Sequence, residues 1–187
     1  MLDYTELKKG VVFILEGQPY EVLESSSVFK GRGSTIVQTK LKNLINGNTI
    51  SKTFHPGDSF QEAEINKIKA TFLYSHRDKF VFCRENNPAD RFELTKEIIG
   101  PAYIFLKPKE SVQAIEFEDK IINIVLPIKV HLKVREAPPG IKGDRSQAGN
   151  KIATLETGAQ IAVPLFVQEG DIIEVNTERG EYVRRIQ

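Results

Sequence analysis

The segment Lys30-Gly31-Arg32-Gly33-Ser34 places a guanidinium between two glycines and lies between two runs typical of β-strands. Glycine lets a backbone reach positive φ and approach a ligand closely. A guanidinium can pair with phosphates, stack on a base or hydrogen-bond a ribose 2′-hydroxyl. Residues 30–42 include four basic residues and no acidic one. The segment therefore predicts an exposed hairpin tip that contacts RNA, with an ordinary basic tip as the alternative.

Two further segments toward the C-terminus contain residues suited to RNA contact. A long loop rich in Pro and Gly contains Lys142 and Arg145, and long loops in compact domains are often functional. In a regular strand, Tyr182 and Arg184 share one face and Arg185 points to the other. The alternatives are a flexible connector for the loop and a solvated edge strand for the C-terminal cluster.

The other residue types that commonly perform chemistry are scattered along the chain. They are His55, His76, His131, Cys83, and an acidic cluster of Glu116, Glu118 and Asp119. No histidine has Cys or His at metal-ligand spacing. The sequence also has neither a Gly-rich phosphate-binding loop nor a Gly-x-Ser-x-Gly elbow. Apolar alternation around Cys83 predicts a buried thiol. We therefore expect no metal, no cofactor and no enzymatic active site.

The charge is nearly balanced in every part of the chain. The net charge is +1, and residues 1–64, 65–126 and 127–187 carry 7 basic and 8 acidic, 10 and 9, and 9 and 8 groups, respectively. No part is broadly basic in the way that usually marks nucleic-acid binding, and so RNA contact must come from local clusters. The apolar runs are far shorter than the ~20 residues of a membrane span. A single cysteine and no signal-peptide pattern further predict a cytoplasmic protein without membrane contact.

Short β-type runs separated by turn residues dominate the chain. They recur about every 8–12 residues, which is the spacing typical of small barrels. This spacing predicts an all-β protein of three barrels, which coincide with the three parts counted above. Asn46-Gly47 predicts a type I′ hairpin turn with φ > 0 at both residues. Residues 92–99 fit either a strand or a short helix. The spacing does not separate SH3-like from OB-type closure, and one continuous sandwich is an alternative.

Ordered motifs link the chain to a known family. Eight residues of the C-terminal part follow the pattern Lys151-x-Ala153-x(4)-Gly158-x(2)-Ile161-x-Val163-Pro164-x(2)-Val167-x(2)-Gly170. They are accompanied by Gly140-Ile141-Lys142-Gly143-Asp144, by Gly180-Glu181-Tyr182 with Arg185, and by Lys40-Leu41-Lys42-Asn43-Leu44 followed by Asn46-Gly47 and Lys52-Thr53-Phe54. With these motifs the chain resembles, over essentially its whole length, the bacterial elongation factor P family.

The resemblance implies both a fold and a function. The implied fold is an N-terminal SH3-like barrel of the KOW type followed by two OB-fold barrels, with an L-shaped outline like that of tRNA. The implied function is that of a monomeric translation factor that binds the 70S ribosome between the peptidyl and exit sites. There it contacts peptidyl-tRNA and relieves stalling at consecutive prolines.

The resemblance also implies roles for individual residues. Arg32 would contact the acceptor end of peptidyl-tRNA, with Lys30, Gly31, Gly33 and Ser34 as the supporting loop. The ribosome and tRNA contacts of the third barrel would be Lys142, Gly143, Asp144, Arg145, Tyr182 and Arg185.

The predicted tip departs from the family pattern. Family members usually have Pro-Gly before the tip residue, and in the arginine-bearing branch Asn after it, whereas this chain has Lys30-Gly31 before Arg32 and Gly33 after it. The tip residue is often modified in the family. Lysine-type extension is excluded at Arg32, because a guanidinium is not an ε-amine. Rhamnosylation of Arg32 by a modifying enzyme, an unmodified Arg32 and a modified Lys30 are the alternatives.

Three rival functions differ from this interpretation. A β-barrel RNA-binding module, such as a ribosome assembly protein, is disfavoured by the balanced charge. A sugar- or nucleotide-modifying enzyme is disfavoured by the missing catalytic constellation. A related factor that acts on a subset of messages is compatible with the arginine at the tip.

Overall fold

The computed structural model describes residues 1–30, 34–85, 87–138 and 149–187, and these residues form mostly β-strands. The strands assemble into three main antiparallel sheets. The predicted all-β fold class is confirmed, with barrel-like sheets consistent with an SH3-like N-terminal barrel and two OB-type barrels. Among the described residues, no helix has both the length and the apolar character needed to cross a membrane.

The first sheet comes from the N-terminal part of the chain. The strands here are β1 (Leu2–Asp3), β2 (Val12–Leu15), β3 (Gln18–Lys30), β4 (Ser34–Asn43), β5 (Thr49–Phe54) and β6 (Ser59–Phe60), with a 3-10 helix at Tyr4–Glu6. Strands β2 to β5 pair in sequence order, and β1 pairs with β6. Inside the sheet, the ring of Phe13 packs on Phe54 and Phe60 at centroid distances of 6.0 and 5.0 Å. These aromatic side chains form the centre of the N-terminal core.

The second sheet has the strand order β11-β10-β7-β8-β9. The elements are β7 (Ile65–His76), β8 (Lys79–Arg84), β9 (Asn87–Thr95), α1 (Lys96–Ile99), a 3-10 helix (Pro101–Phe105), β10 (Ser111–Phe117) and β11 (Lys120–Val125). Residues 92–99 thus contain both predicted alternatives, because β9 ends at Thr95 and α1 begins at the next residue.

The third sheet has the order β14-β13-β12-β15-β16. The strands are β12 (Lys129–Glu136), β13 (Asn150–Leu155), β14 (Gln160–Pro164), β15 (Ile172–Asn176) and β16 (Glu181–Arg185). On β12, the side chains of Val130, Leu132 and Val134 are buried and those between them are exposed. This strict alternation gives the sheet one apolar inner face and one polar outer face.

The turns between strands follow local chemistry that differs in part from prediction. At Arg77-Asp78 and Glu118-Asp119, both residues have positive φ, as a type I′ hairpin turn requires. The prediction of a type I′ turn at Asn46-Gly47 is wrong, because only the glycine has positive φ (75°). The side-chain oxygen of Asn43 accepts hydrogen bonds from the backbone N–H groups of Ile45 and Asn46. This cap stabilises a longer loop between β4 and β5.

The second and third sheets share one continuous apolar core, whereas the first sheet has its own. The ring of Phe105 reaches toward the third sheet, where its Cζ lies 3.8 Å from the point that a Cβ atom would occupy if Gly180 had a side chain. An ion pair of 3.0 Å between Lys107 and Glu156 links the same two sheets. Barrels of about 60 residues bury little apolar surface alone, and so the shared core stabilises both. The domain boundaries after residues 64 and 126 remain predictions.

A buried asparagine connects the first and second sheets. Asn123 of β11 is 7% exposed. Its Nδ2 donates to the carbonyl oxygens of Leu44 and Ile45, beside the end of β4, at 3.3 and 3.4 Å, and to that of Ile98 at 3.0 Å. The amide thereby satisfies carbonyl groups on both sides of the junction.

We expect Asn123→Ala to lower the free energy of unfolding by about 1–3 kcal/mol, because buried carbonyls lose their donor. Asn66→Ala, at an exposed position of β7, serves as the control and should change it by no more than about 0.5 kcal/mol. Chemical denaturation followed by circular dichroism measures both. Equal losses in the two variants would contradict the role given to Asn123.

Candidate nucleic-acid interface

The longest continuous structure in the first sheet is the hairpin formed by β3 and β4. Its backbones pair at ten positions, from Tyr20 opposite Asn43 to Lys30 opposite Ser34. Near the start of this ladder Val22 and Leu41 are completely buried, whereas Ser25, Ser26 and Ser27 toward its far end are exposed, as the burial pattern shows. The hairpin is therefore anchored in the core. Strand β5 pairs with β4 as far as Val37, and only the last three pairs of the hairpin, in which Ile36 is still buried, extend beyond it.

Phe29 lies one pair before the far end of this hairpin, opposite Thr35. It is 70% exposed, more than any other aromatic residue in the described part of the chain. Sequence reasoning missed this residue. The available signal was the pair Val28-Phe29 directly after three serines, because two successive apolar residues break the alternation of the strand.

The predicted tip of the hairpin adjoins these described residues. Lys30 and Ser34 form the last backbone pair of the ladder. Gly31, Arg32 and Gly33 lie outside the described residues, and so the role of Arg32 stays a prediction. The same holds for the supporting role of the residues that flank it.

The predicted contacts of the third barrel divide into two groups. Lys142, Gly143, Asp144 and Arg145 lie outside the described residues, and their roles stay predictions. Arg185 lies at the end of β16, where its guanidinium stands 5.5 Å from the ring centroid of Phe166 and 3.4 Å from Asp171.

The prediction that Tyr182 and Arg184 share a face is wrong. Tyr182 pairs with Val175 on the inner face and packs against the shared core. Arg184 instead pairs with Glu174, on the outer face. The register shifts between these two pairs, which leaves Val183 as the extra residue of a β-bulge. A bulge of this kind reverses the alternation that a regular strand would have.

Glu174 gathers a lysine, an arginine and a histidine side chain on the outer face of the third sheet. Its carboxylate is 5% exposed. Arg184 Nη2 donates to Oε2 at 3.1 Å, and His131 Nε2 lies 3.3 Å from the same oxygen. Lys129 Nζ lies 3.0 Å from Oε1 as an ion pair, outside hydrogen-bond geometry. Residues from three neighbouring strands therefore meet at one carboxylate.

The charges around Glu174 fix its ionisation. The ion pairs with Lys129 and Arg184 stabilise the charged carboxylate, and His131 adds to this effect. They outweigh burial, which acts in the opposite direction, and lower the pKa of Glu174 from 4.5 to about 2. The carboxylate is thus fully ionised at neutral pH.

Two of the remaining candidates for chemistry, Cys83 and Glu116, lie within the second sheet. Cys83 is buried in the second sheet. Glu116 is largely buried, and its carboxylate lies 2.7 Å from the guanidinium of Arg84. Within the described ranges, no group of three His, Cys, Asp or Glu side chains is arranged to hold a metal ion.

The pKa of Glu174 leads to a prediction about acid stability. Its ionised form contributes stability that is complete above pH 4.5 and is lost as the pH falls toward about 2. The thermal midpoint of Glu174→Gln should therefore lie below that of the parent at pH 7, and the difference should shrink as the pH falls below 4.5. Thermal unfolding at a series of pH values measures it, with Glu181→Gln as the exposed control. A difference that does not depend on pH would contradict the assignment.

Two family models match the chain. The model described as the KOW-like domain of elongation factor P matches residues 3–60, and that of the elongation factor P C-terminal domain matches residues 130–185. The chain is 39% identical over 186 residues to elongation factor P of Carboxydothermus hydrogenoformans and 37% identical over 187 residues to that of Desulfotalea psychrophila. Both alignments cover 100% of each chain.

A solved structure shows a similar fold. It is titled eukaryotic translation initiation factor 5A from Methanococcus jannaschii, and the match covers 66% of this chain and 92% of that one. The TM-score is 0.51 and the sequence identity is 17%, and so this likeness concerns the fold alone. The two family models and the full-length relatives show that the chain belongs to the elongation factor P family of translation elongation factors.

Proposed function

We propose that this elongation factor binds the 70S ribosome between the peptidyl and exit sites and positions peptidyl-tRNA for peptide-bond formation at consecutive prolines. The observation that carries the proposal is the similarity to relatives named elongation factor P along their full length. The factor acts in the cytoplasm as a monomer.

The β3–β4 hairpin has the mechanical properties that this function needs. Ten backbone pairs hold its two strands together, and Val22 and Leu41 fix its base in the core. An arm that is ordered before binding loses little conformational entropy when it meets its ligand. The hairpin therefore supports a contact between Arg32 and the acceptor end of peptidyl-tRNA.

The exposed ring of Phe29 supports the same contact. Nucleobases stack on aromatic side chains, and such stacking contributes about 1–3 kcal/mol for each base. An apolar ring that is 70% exposed lacks this kind of partner within the described part of the chain. We propose that Phe29 stacks on an unpaired nucleotide near the acceptor end, while Arg32 contacts phosphate or ribose.

The factor accelerates peptide-bond formation by positioning peptidyl-tRNA. Proline is a poor nucleophile with a constrained geometry, and so the reactive arrangement of the two tRNAs is seldom populated. Holding peptidyl-tRNA in place raises that population and can supply a large part of a rate enhancement. The chemical groups that act on the peptide bond then belong to the ribosome and not to this factor.

The third barrel supplies the second end of the proposed contact. Arg185 stands beside Phe166 at an exposed edge, and guanidinium groups bind phosphates well. Tyr182 packs on the core, and so its proposed role is to hold β16 in place beside the RNA. Lys142, Gly143, Asp144 and Arg145 are proposed to contact the small subunit and the anticodon stem.

Arg32 is also the proposed site of modification. A rhamnose added by a modifying enzyme would extend the side chain toward the acceptor end. Intact mass spectrometry of protein purified from its natural source should show the added sugar mass on the peptide that contains Arg32. A spectrum with only the unmodified mass would leave Arg32 to act as a plain guanidinium.

Arg32→Ala should slow synthesis through three consecutive prolines by about tenfold or more, because the acceptor end loses its positioning contact. A reconstituted translation reaction with a Pro-Pro-Pro message measures the rate. Arg91→Ala, at an exposed position of β9 in the second sheet, is the matched control and should behave like the parent. Full activity of the Arg32 variant would contradict the proposed contact.

The same reaction tests the stacking role of Phe29. Phe29→Tyr keeps an aromatic ring on which a base can stack and should retain activity. Phe29→Leu keeps apolar area but has no aromatic ring, and it should slow synthesis about fivefold or more. Equal activity of the two variants would exclude stacking.

A further inference from the structure

The outer face of strand β12 carries a row of basic side chains. Its exposed positions are Lys129, His131, Lys133 and Arg135, and the residues between them point into the core. Successive residues on one face of a strand are about 6.6 Å apart. This row therefore presents positive groups at regular intervals along one side of the third barrel. The alternation was visible in the sequence, but balanced charge over residues 127–187 concealed it.

Strand β16 adds a further cation to this surface. Arg184 and His131 both lie opposite Glu174 in the sheet register, one on each neighbouring strand. The side chains of Lys129, His131 and Arg184 are 56%, 56% and 66% exposed. Each side chain thus contacts the central carboxylate at one edge, and Lys129 and Arg184 leave donor groups open to solvent.

The acidic residues near this surface balance its cations except immediately around Glu174. Glu174 is one carboxylate shared by two cations, Lys129 and Arg184, and by the imidazole of His131, and it is buried beneath them. Glu181 lies in the adjacent row, opposite Asn176. Farther along β12, Glu136 pairs with Arg135, and Glu156 accepts a hydrogen bond from the backbone of Lys133. Immediately around Glu174, Lys129 and Arg184 together carry one positive charge more than its carboxylate.

Stability alone does not account for this arrangement. Exposed ion pairs contribute between about 0 and 1 kcal/mol, and one partner would suffice for one carboxylate. A buried anion beneath several exposed cations instead fixes the orientation of long side chains that would otherwise move freely. Groups held in place in this way lose less entropy when they bind a ligand.

We propose that Lys129, His131 and Arg184 form a binding site for the phosphate backbone of RNA, and that Glu174 is the positioning residue that orients them. The complementary ligand is a regular series of negative charges, which an RNA backbone provides. OB-type barrels commonly bind oligonucleotides on a strand face. The site is separate from the β3–β4 hairpin and concerns RNA contact by itself, independent of events at the peptidyl-transferase centre.

Two substitutions with the same change of charge separate positioning from simple electrostatics. Glu174→Gln and Glu181→Gln each make the same outer face more positive by one charge. If only charge matters, both variants should bind RNA more tightly. If Glu174 positions the cations, Glu174→Gln should bind about fivefold more weakly, because well-placed contacts to charged groups are lost, while Glu181→Gln should bind as tightly as the parent or more so.

The measurement is equilibrium binding at pH 7 to two probes, a tRNA transcript and purified 30S subunits, over a series of salt concentrations. Lys129→Gln and Arg184→Gln should weaken binding to at least one probe. Each should lower the slope of log affinity against log salt by about 0.7–0.9, as for the loss of one phosphate contact. The probe that responds identifies the source of the RNA.

Several results would overturn the proposal. The first two are a parent protein that binds neither probe and an unchanged affinity of the Lys129 and Arg184 variants. The third is weaker binding with an unchanged salt slope, which would indicate an acidic protein partner. The fourth is tighter binding of RNA by Glu174→Gln. Circular dichroism checks that each variant is folded. If Glu174→Gln is not folded, Glu174→Asp replaces it, and the shorter side chain should also weaken binding.

Discussion

A paired hairpin can extend into solvent only if its base is held by something stronger than the hairpin itself. Here the base is held by Val22 and Leu41, both fully buried, next to the aromatic packing around Phe13. Isolated two-stranded hairpins are marginally stable in water. The buried base therefore determines whether Phe29, and the predicted tip beyond it, can be presented to a ligand in one orientation.

The same constraint applies between the sheets. A contact at one end of the factor can position a ligand only if the other end is held on the ribosome and the connection between them resists bending. The Asn123 amide joins the first and second sheets, and a continuous apolar core joins the second and third. These junctions connect the first sheet to the second and the second to the third, in which the cluster around Glu174 lies.

Local pattern was sufficient to predict an all-β fold and the hairpin of β3 and β4, because alternation of apolar residues depends on neighbours in sequence. The SH3-like and OB types of the barrels came from family resemblance. It failed where geometry depends on residues far apart. The β-bulge at Val183 places Tyr182 and Arg184 on opposite faces, and no local spacing indicates where an extra residue will fall. Likewise, Glu174 and His131 are 43 residues apart in sequence, and only the pairing of β12 with β15 brings them together. The roles assigned to Arg32 and to the loop of Lys142 came from family resemblance, and they remain predictions.

The central claim is that this chain positions peptidyl-tRNA where consecutive prolines slow the ribosome. Ribosome profiling of cells that lack the gene, compared with cells that express it, tests this claim most directly. Ribosome density should rise at runs of proline codons in the deletion strain and return to normal when the intact gene is restored. Profiles that are the same at proline runs with and without the gene would contradict the account.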